Sequence, residues 1–388
     1  MNQDKYVFAQ LISFLDRNKF NYIVRKYDGD KYVKHFTCWN QMLSLMFGQL
    51  SNRESLRDLI AALDAHRSKC YHLGMGKNVS KSALSKANEK RAYRIFEDYA
   101  YSLVREAQSL RAQDIFKLGG KVYAFDSSTI DLCLSAFKWA TFRKKKGGIK
   151  LHTLYDVETQ IPTFFHITTA SKHDSTVMDE IPYELGAYYI FDRAYNDFKK
   201  LNNIHTLKAF FVIRAKKNLV YKAVKWSRNL PKNIRSDSVI QLTGNKTKEH
   251  YKQDLRRVKY WDEEQAREFV FLTNDTSLKA HEVALLYKNR WQVELFFKWV
   301  KQHLRIKKFW GTTENAVRVQ IYVAIITYCL VAIVQWRLKL NRTTYETLQI
   351  LSISLTDKAP LLELLSSNRS NLEDEDIDKM QLSLFELF

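Results

Sequence analysis

The chain has 388 residues, enough for two or three domains, and 46% of them are hydrophobic, so a sizeable core can form. It carries 62 Lys and Arg against 42 Asp and Glu, a net charge of +20 that favours polyanionic partners, nucleic acid foremost. The scarcity of Gly (11) and Pro (4) argues against collagen-like or long flexible stretches, and the four dispersed cysteines exclude a local zinc knuckle and give no indication of a disulfide scaffold. A generic basic protein, a ribosome-associated factor and a membrane-surface binder remain as alternatives.

Residues 1–115 form the first predicted unit, and they read as helical. The start of the chain lacks a basic and apolar leader, so we expect a protein of the reducing cytoplasm. Amphipathic patterns predict helices at Tyr6–Leu15, Trp39–Leu50, Leu56–Leu63 and Arg91–Ala107, with a capping box at Ser51–Glu54 and a further helix starting at Ser80. Short helices with Ser, Lys and Asn on one exposed face indicate a helix-turn-helix DNA-binding domain. A plain helical packing domain is the alternative.

From residue 116 to about 345 we predict an α/β domain. Short β-branched and aromatic runs predict five strands, and helical patterns follow the third and the fourth of them. The predicted strands are Lys121–Phe125, Gly148–Tyr155, Pro162–Thr169, Ala187–Phe191 and Ala209–Ile213. The resulting order, β-β-β-α-β-α-β, is the ribonuclease H-like arrangement of a mixed five-stranded sheet. Residues from about 216 to 273 predict a β-rich insertion.

Two aspartates follow apolar strands of this predicted sheet. Asp126 comes directly after Val122–Phe125, and Asp192 comes directly after Tyr188–Phe191. Strands that are neighbours in the sheet would place both carboxylates at the same edge, where oxygen ligands can hold Mg²⁺ or Mn²⁺ ions roughly 3.5–4 Å apart. An isolated aspartate at a strand end is more often a turn cap, so the pair by itself is a weak signal.

A predicted helix from Lys279 to about Leu304 supplies a third carboxylate, Glu294. On an ideal helix the side chains of Tyr287, Arg290, Glu294 and Lys301 fall within an arc of about 60°. This stripe lies beside an apolar one that can bury against the sheet, so Glu294 would face the aspartates. The alternative is an ordinary amphipathic helix with an Arg290–Glu294 ion pair on its surface.

Further cations are predicted to contact the DNA backbone. Lys298 lies beside the stripe, and Arg305 and Lys308 continue it. The run Arg143, Lys144, Lys145 and Lys146 is predicted in a turn that borders the same face, with a merely solvated loop as the alternative.

The spacing Tyr287-x2-Arg290-x3-Glu294-x6-Lys301 resembles the Y-x2-R-x3-E-x6-K signature of the IS4 family of bacterial insertion-sequence transposases. The segments around Asp126 and Asp192 resemble the first and second aspartate motifs of that family, in the same order. The resemblance covers about residues 115–345, and residues from Phe8 to about Leu59 resemble the helical domain that precedes the catalytic core in one group of these transposases.

The resemblance implies a DDE transposase that cleaves transposon ends and joins the 3′-OH to target DNA. Asp126, Asp192 and Glu294 would hold two Mg²⁺ ions, with Mn²⁺ able to substitute, while Tyr287, Arg290 and Lys301 would contact transposon-end DNA. A homodimer in the synaptic complex and double-stranded DNA are the implied partners. Two alternatives stay open: a ribonuclease H-like nuclease or resolvase, and a non-catalytic DNA-binding protein derived from a transposase.

The last part of the chain shows no catalytic pattern. The uncharged stretch Gln320–Trp336 is short for a membrane span, and we predict a helix buried in the core and no membrane partner. Residues 346–388 predict a helical segment and an acidic tail that contains Glu373–Asp376.

Overall fold

The structure is a computed structural model that describes residues 4–77, 79–111, 116–143, 146–303 and 308–366. The helices are α1 Val7–Ile12, α2 Arg17–Lys26, α3 Cys38–Leu50, α4 Leu56–Ala65, α5 Lys81–Lys90, α6 Arg94–Arg111, α7 Phe198–Thr206, α8 Asn245–His250, α9 Ala280–Lys288, α10 Trp291–His303, α11 Glu314–Arg337, α12 Thr344–Ser354 and α13 Leu361–Ser366. The strands are β1 Val122–Leu132, β2 Thr141–Arg143, β3 Lys146–Asp156, β4 Ile161–Thr169, β5 Tyr188–Phe191, β6 Phe210–Arg214, β7 Tyr221–Trp226, β8 Ile234–Leu242, β9 Leu255–Asp262 and β10 Arg267–Thr273. Short 3₁₀ helices span Lys138–Ala140, Asp174–Glu180 and Arg193–Tyr195.

All ten strands form one mixed sheet. Its strand order is β2-β3-β1-β5-β6-β10-β9-β8-β7, with β4 also paired to β3. Strands β1, β5 and β6 are parallel, whereas β3 and β4 run antiparallel to their neighbours. The first three predicted strands, β1, β3 and β4, therefore pair consecutively and antiparallel. The sheet has ten strands in place of the expected five. Four of the additional strands belong to the predicted insertion, whose strand β10 pairs with β6 and is followed by β9, β8 and β7, and the fifth is β2.

The alternation of side chains along β1 divides the core into two layers. Val122 and Ala124 point into a layer formed with the N-terminal and C-terminal helices, whereas Tyr123 and Phe125 point into a layer on the opposite face. The same alternation places Asp126 on the face against which α10 packs. Val122, Ala124 and Asp126 are alternate residues of β1, so they lie on the face of the sheet that packs against α10.

Helix α11 is the centre of the helical layer. It is long and apolar enough to cross a membrane by length and composition, but 94% of its most apolar window is buried inside the protein. Helices α3, α5, α6 and α12 pack around it, so the N-terminal helices share one hydrophobic core with the C-terminal part of the chain. The prediction that Gln320–Trp336 is a core helix is confirmed.

The N-terminal helices agree with the predicted pattern except at two places. Helix α2 was not expected, and the predicted capping box at Ser51–Glu54 is wrong. The side chain of Ser55 caps α4 by accepting a hydrogen bond from the backbone N–H of Asp58. Ser51 instead ends α3, where its hydroxyl donates to the carbonyl of Phe47. Ser51 and Ser55 are four residues apart and both fit the pattern of a helix cap. Only the contacts of each hydroxyl show which of them caps α4.

Candidate active site

Asp126 and Asp192 lie side by side at the end of the parallel part of the sheet. Strands β1 and β5 pair up to Phe125 and Phe191, and each aspartate is the next residue of its chain. Asp192 follows β5, as expected, but Asp126 lies within β1, opposite Thr153 of β3. The expectation that Asp126 ends a strand is wrong, because the antiparallel pairing with β3 continues after the pairing with β5 has stopped.

The helix that carries Glu294 is interrupted. The predicted helix Lys279–Leu304 is two helices, α9 and α10, separated at Asn289 and Arg290. At this break the backbone N–H groups of Arg290, Gln292 and Val293 bond three residues back rather than four. The 60° arc calculated for an uninterrupted helix therefore does not apply, and tertiary contacts decide how these side chains approach the aspartates.

Two side chains at this break contact all three acidic residues. Arg290 donates from Nη1 to Oδ2 of Asp126 at 2.7 Å and from Nη2 to Oε1 of Glu294. The hydroxyl of Tyr287 donates to Oδ1 of Asp192 at 3.0 Å. The helical ion pair that the simpler alternative required is thus present, but it extends to Asp126 of the sheet.

Burial and charge oppose each other in this cluster. Burial raises the pKa of Asp126 to about 6, although the Arg290 guanidinium and the N–H of Ser127 act to lower it. Burial disfavours the charged form of Arg290, yet Asp126, Tyr287 and Glu294 raise its pKa above the ordinary value for arginine. The pKa of Tyr287 is raised to about 12, chiefly by burial. Arg290 is therefore cationic, and the pKa of Asp126 lies above the ordinary value for an aspartate, towards neutral pH.

The three carboxylates line one open cleft of about 770 Å³. Six cationic side chains share its lining, which gives the cleft an excess of positive charge despite the acidic residues. These cations are Arg193, Arg214, Arg267, Arg290, Lys298 and Lys301. A cleft of this charge can accept a polyanion such as a phosphodiester backbone.

Three of these cations were missed by the sequence analysis. Arg193 follows Asp192 directly, Arg214 ends β6 and Arg267 begins β10, so they come from separate elements. The guanidinium groups of Arg214 and Arg267 lie 4.9 and 4.4 Å from the ring centroid of Phe269, which holds them together. Arg193 could have been predicted from its position next to Asp192. Arg214 and Arg267 could not, because the pairing of β6 with β10 that brings them together is not indicated by the local sequence.

The other predicted DNA contacts are distributed differently. Lys301 and Lys298 lie in the cleft, and Nζ of Lys301 also donates to the carbonyl of Thr129 at 2.9 Å. Tyr287 is buried beneath the cleft and is not part of its lining. Lys308 forms an ion pair with Glu54 of the N-terminal region at 2.7 Å.

The predicted basic run and Arg305 are only partly described. Arg143 ends β2 and pairs through its backbone with Lys146 at the start of β3. Lys144, Lys145 and Arg305, and the side chains of Arg143 and Lys146, lie outside the described residues.

Two aromatic residues of α10 occupy different surroundings. Trp299 is buried, and its ring packs edge-on against Tyr328 of α11 at 4.5 Å, so it belongs to the core. Trp291 is half-buried and lines the cleft. Trp299 therefore packs in the core, whereas Trp291 is at the cleft.

Other acidic residues near the sheet have structural partners. Asp156 is buried and accepts hydrogen bonds from the backbone of Glu158 and Thr159, as a turn cap does. Asp174 accepts from Ser127 Oγ at 2.8 Å and pairs with Lys150 at 3.1 Å. Both carboxylates have partners that account for them without a metal ion.

The donor chemistry of the cleft fits a hard divalent cation. Asp126, Asp192 and Glu294 offer carboxylate oxygens only, the ligands that Mg²⁺ and Mn²⁺ prefer. Within the described ranges, no three His, Cys, Asp or Glu side chains already converge as a metal site. Arg290 lies between Asp126 and Glu294, so these two carboxylates would exchange guanidinium contacts for metal contacts.

Comparison with known proteins identifies the family to which the chain belongs. Residues 117–330 match the family described as Transposase DDE domain, which is more than half of the chain. The chain belongs to this family of DDE transposases. Residues 3–76 match a second family, described as a domain of unknown function.

Named relatives agree with this assignment. The chain is 37% identical over 218 residues to the transposase-named protein y4zB of Sinorhizobium fredii, covering 54% of this chain and 59% of that protein. It is 31% identical over 208 residues to a protein of Geobacillus stearothermophilus named as a transposase of insertion sequence element IS5377, covering 53% and 54%. A protein of Synechocystis named for element IS4SA is 24% identical over 293 residues, covering 73% and 80%. The chain thus spans little more than half the length of the first two relatives.

Proposed function

We propose that this protein is an insertion-sequence transposase of the cut-and-paste type. It binds the inverted-repeat ends of its element, cleaves them by metal-dependent phosphodiester hydrolysis and joins the 3′-OH ends to target DNA. The observation that carries this proposal is that Asp126, Asp192 and Glu294, from three separate elements, line one cleft that also contains six cations. Membership of the DDE transposase family and the names of the relatives support it.

We also propose that the core is ribonuclease H-like and that the protein is of the IS4 group. The strand order β4-β3-β1-β5-β6, with β1, β5 and β6 parallel, supports the first point. The tetrad of Tyr287, Arg290, Glu294 and Lys301 supports the second, since Tyr287 and Arg290 contact the acidic residues and Lys301 lines the same cleft.

In this proposal the acidic residues have distinct supports. Asp126 and Asp192 are fixed by neighbouring strands, whereas Glu294 is half-exposed on α10 and can adjust its position. Two Mg²⁺ ions held by the three carboxylates, with Mn²⁺ able to substitute, would supply Lewis-acid activation of the nucleophile and stabilisation of the leaving oxygen. Tyr287 orients Asp192 through its hydrogen bond, so it acts as a positioning residue.

The cations of the cleft bind and orient the phosphates. Lys298, Lys301, Arg214 and Arg267 line the cleft around the carboxylates, where they can neutralise backbone charge on either side of the scissile bond. The guanidinium of Arg290 can donate to a phosphate once its hydrogen bond to Asp126 or to Glu294 is broken. Partners in this proposal are double-stranded DNA and a second copy of the chain in the synaptic complex, in the bacterial cytoplasm.

The test uses full-length protein, Mg²⁺ and a duplex with a pre-nicked transposon end, taken from the DNA that flanks the gene. We expect both cleavage and joined products. Hydrolysis without joined products would contradict the transposase proposal and favour a nuclease or resolvase. Absence of both reactions, with DNA binding retained, would favour a non-catalytic DNA-binding protein.

A matched pair of variants assigns the third carboxylate. Glu294→Ala should abolish cleavage while leaving binding of the duplex nearly unchanged. Glu314→Ala is the control, because Glu314 forms the same i,i+4 ion pair with Arg318 and has a similar side-chain exposure, 53% against 51% for Glu294. Cleavage by both variants at the wild-type rate would exclude Glu294 as a catalytic residue.

A further inference from the structure

Helix α2 exposes a polar stripe that the proposed active site does not use. Its ten residues contain Arg and Lys at four positions and no acidic side chain. Asn18, Asn21, Tyr22 and Arg25 are all exposed and, at 100° per residue, fall within an arc of about 100°. Among the described residues, their side chains make no hydrogen bond or ion pair within the protein. The stripe is therefore available to a partner.

The opposite face of α2 is fixed in the core. Phe20, Ile23 and Val24 are buried, and the Phe20 ring lies 5.3 Å from Trp39 and 4.9 Å from Tyr99. Asp16 caps the helix start by accepting from the N–H of Lys19, and the Tyr99 hydroxyl donates to the carbonyl of Asp16. The exposed stripe is thus presented by a helix whose position is fixed by packing.

The region that the sequence indicated as a DNA reader is less suitable. Asn88 of α5 is buried and accepts a hydrogen bond from Gln41 at 2.8 Å, so its amide cannot reach a base. Helix α5 also carries Glu89, and the long segment 66–80 separates it from α4. Only four residues, 13–16, separate α1 from α2, which is the short connection typical of a helix-turn-helix.

The side chains of the stripe have the chemistry of a major-groove reader. Asparagine can form two hydrogen bonds with adenine, and arginine can form two with guanine. A ten-residue helix is about 15 Å long, and the major groove, about 12 Å wide, admits it. Arg17 and Lys19 flank the stripe, at positions suited to the phosphates beside a groove. Lys26 also flanks it and forms an ion pair with Asp98 at 2.8 Å.

We propose that α2 is the sequence-reading helix of this protein and that it enters the major groove of duplex DNA with Asn18, Asn21 and Arg25 towards the bases. The inference rests on the proposed function for the identity of the partner, and it adds which helix reads the sequence. The absence of an acidic residue from the helix itself favours a polyanionic partner, and the exposed amides favour contacts with base edges over contacts with phosphates alone.

The experiment first selects a preferred sequence with the full-length protein, without divalent metal, from a pool of random 25-bp duplexes. Fluorescence anisotropy at one fixed salt concentration then gives Kd for the selected duplex and for a scrambled duplex of equal composition. The ratio of the two Kd values measures sequence reading. The variants are Arg25→Ala, Asn21→Ala and Lys19→Ala. The matched control on α5 is the double variant Lys86→Ala and Ser85→Ala.

We expect Arg25→Ala and Asn21→Ala each to reduce this ratio about tenfold or more, because each removes a bidentate base contact. The α5 control should leave the ratio unchanged, and Lys19→Ala should weaken binding to both duplexes equally. All substituted side chains are exposed, so circular dichroism should show unchanged folding. Retention of the ratio in both α2 variants, or its loss in the α5 control, overturns the inference.

The failure of the proposed function is separable from the failure of this inference. If the wild-type protein selects a sequence and cleaves its ends, the proposed function holds whatever the α2 variants do. If α2 variants lose affinity for both duplexes equally, α2 contacts only phosphates and the proposal of base reading is wrong. If the wild-type protein binds neither duplex, both proposals are wrong.

Discussion

Strand β1 has a carboxylate cluster against each of its two faces, and their surroundings differ. On one face Asp126 pairs with Arg290 in an open cleft that also contains Asp192 and Glu294. On the other face Asp174 pairs with Lys150 and accepts from Ser127, beside the fully buried His152. Each cluster contains a carboxylate, a cation and a neighbouring polar group, so a salt bridge near the sheet does not by itself identify an active site.

What distinguishes the first cluster is the number of elements that converge there. Its three carboxylates come from β1, from the segment after β5 and from α10, and its cations exceed its acidic residues. The Asp174 cluster has one carboxylate, whose charge is balanced by Lys150 at 3.1 Å. An excess of cations around several carboxylates fits a polyanionic substrate, whereas a balanced pair fits a structural role.

The largest expected effect tests this difference directly. Asp126→Asn should reduce strand cleavage at least about a thousandfold, because it removes a charged ligand that is worth several kcal/mol in the transition state. Asp174→Asn should reduce it less than about tenfold, because Asp174 contacts Ser127 and none of the three proposed ligands. Single-turnover cleavage of a pre-nicked duplex measures both. Similar losses in the two variants would contradict the distinction between the clusters.

The second prediction concerns stability and pH at the Asp174 cluster. Burial lowers the pKa of His152 to about 4, from an ordinary value of 6.5, while Asp174 acts to raise it. The unfolded chain therefore binds more protons between these pH values, and the free energy of unfolding falls by up to about 3 kcal/mol as pH decreases from 6.5 to 4. Urea denaturation should show a smaller decrease for His152→Gln than for the wild type.

Other groups also titrate in this range, so a second histidine serves as the control. His166 is less buried than His152, and burial lowers its pKa as well. His166→Gln should change the pH dependence less than His152→Gln does. If both variants follow the wild-type curve, His152 is not the source of the pH dependence.

The third prediction concerns support for a ligand of the cleft. Tyr287→Phe removes the hydrogen bond to Asp192, a net loss of about 1 kcal/mol, and should reduce cleavage about fivefold. Tyr188→Phe is the control, because the Tyr188 hydroxyl donates to Asp275 at 2.5 Å, and neither residue belongs to the cleft lining. Its cleavage rate should match the wild type. A positioning role for Tyr287 is excluded if both variants cleave at wild-type rates.

The smallest expected effect separates catalysis from folding. Glu294→Ala and Glu314→Ala should each change the free energy of unfolding by less than about 1 kcal/mol, because both carboxylates are about half-exposed and such ion pairs contribute little. Thermal and urea unfolding measure this. A loss of several kcal/mol in Glu294→Ala alone would mean that its inactivity reflects unfolding.

Local patterns in the sequence determined much of the fold and the order of the acidic residues. The apolar patterns of β3, β4, β5 and β6 depend on residues close together in the chain, and these strands were predicted within two positions. Strand β1 and helix α11 were also predicted, although β1 continues seven residues further and α11 begins six residues earlier than expected. Asp192 could be located because it directly follows an apolar strand. The choice of Glu294 came from spacing and from the family resemblance.

Only the tertiary structure decided how these parts meet. Pairing of β10 with β6 brings Arg267 beside Arg214, and continued pairing with β3 places Asp126 inside a strand. The helix break at Asn289 and Arg290 and the exposure of α2 likewise follow from packing against distant elements. Strand pairing and helix burial depend on partners far away in the sequence, so composition and periodicity could not reveal them. The sequence by itself indicated the three carboxylates and three of the six cations of the cleft. The tertiary structure added the other three, Arg193, Arg214 and Arg267.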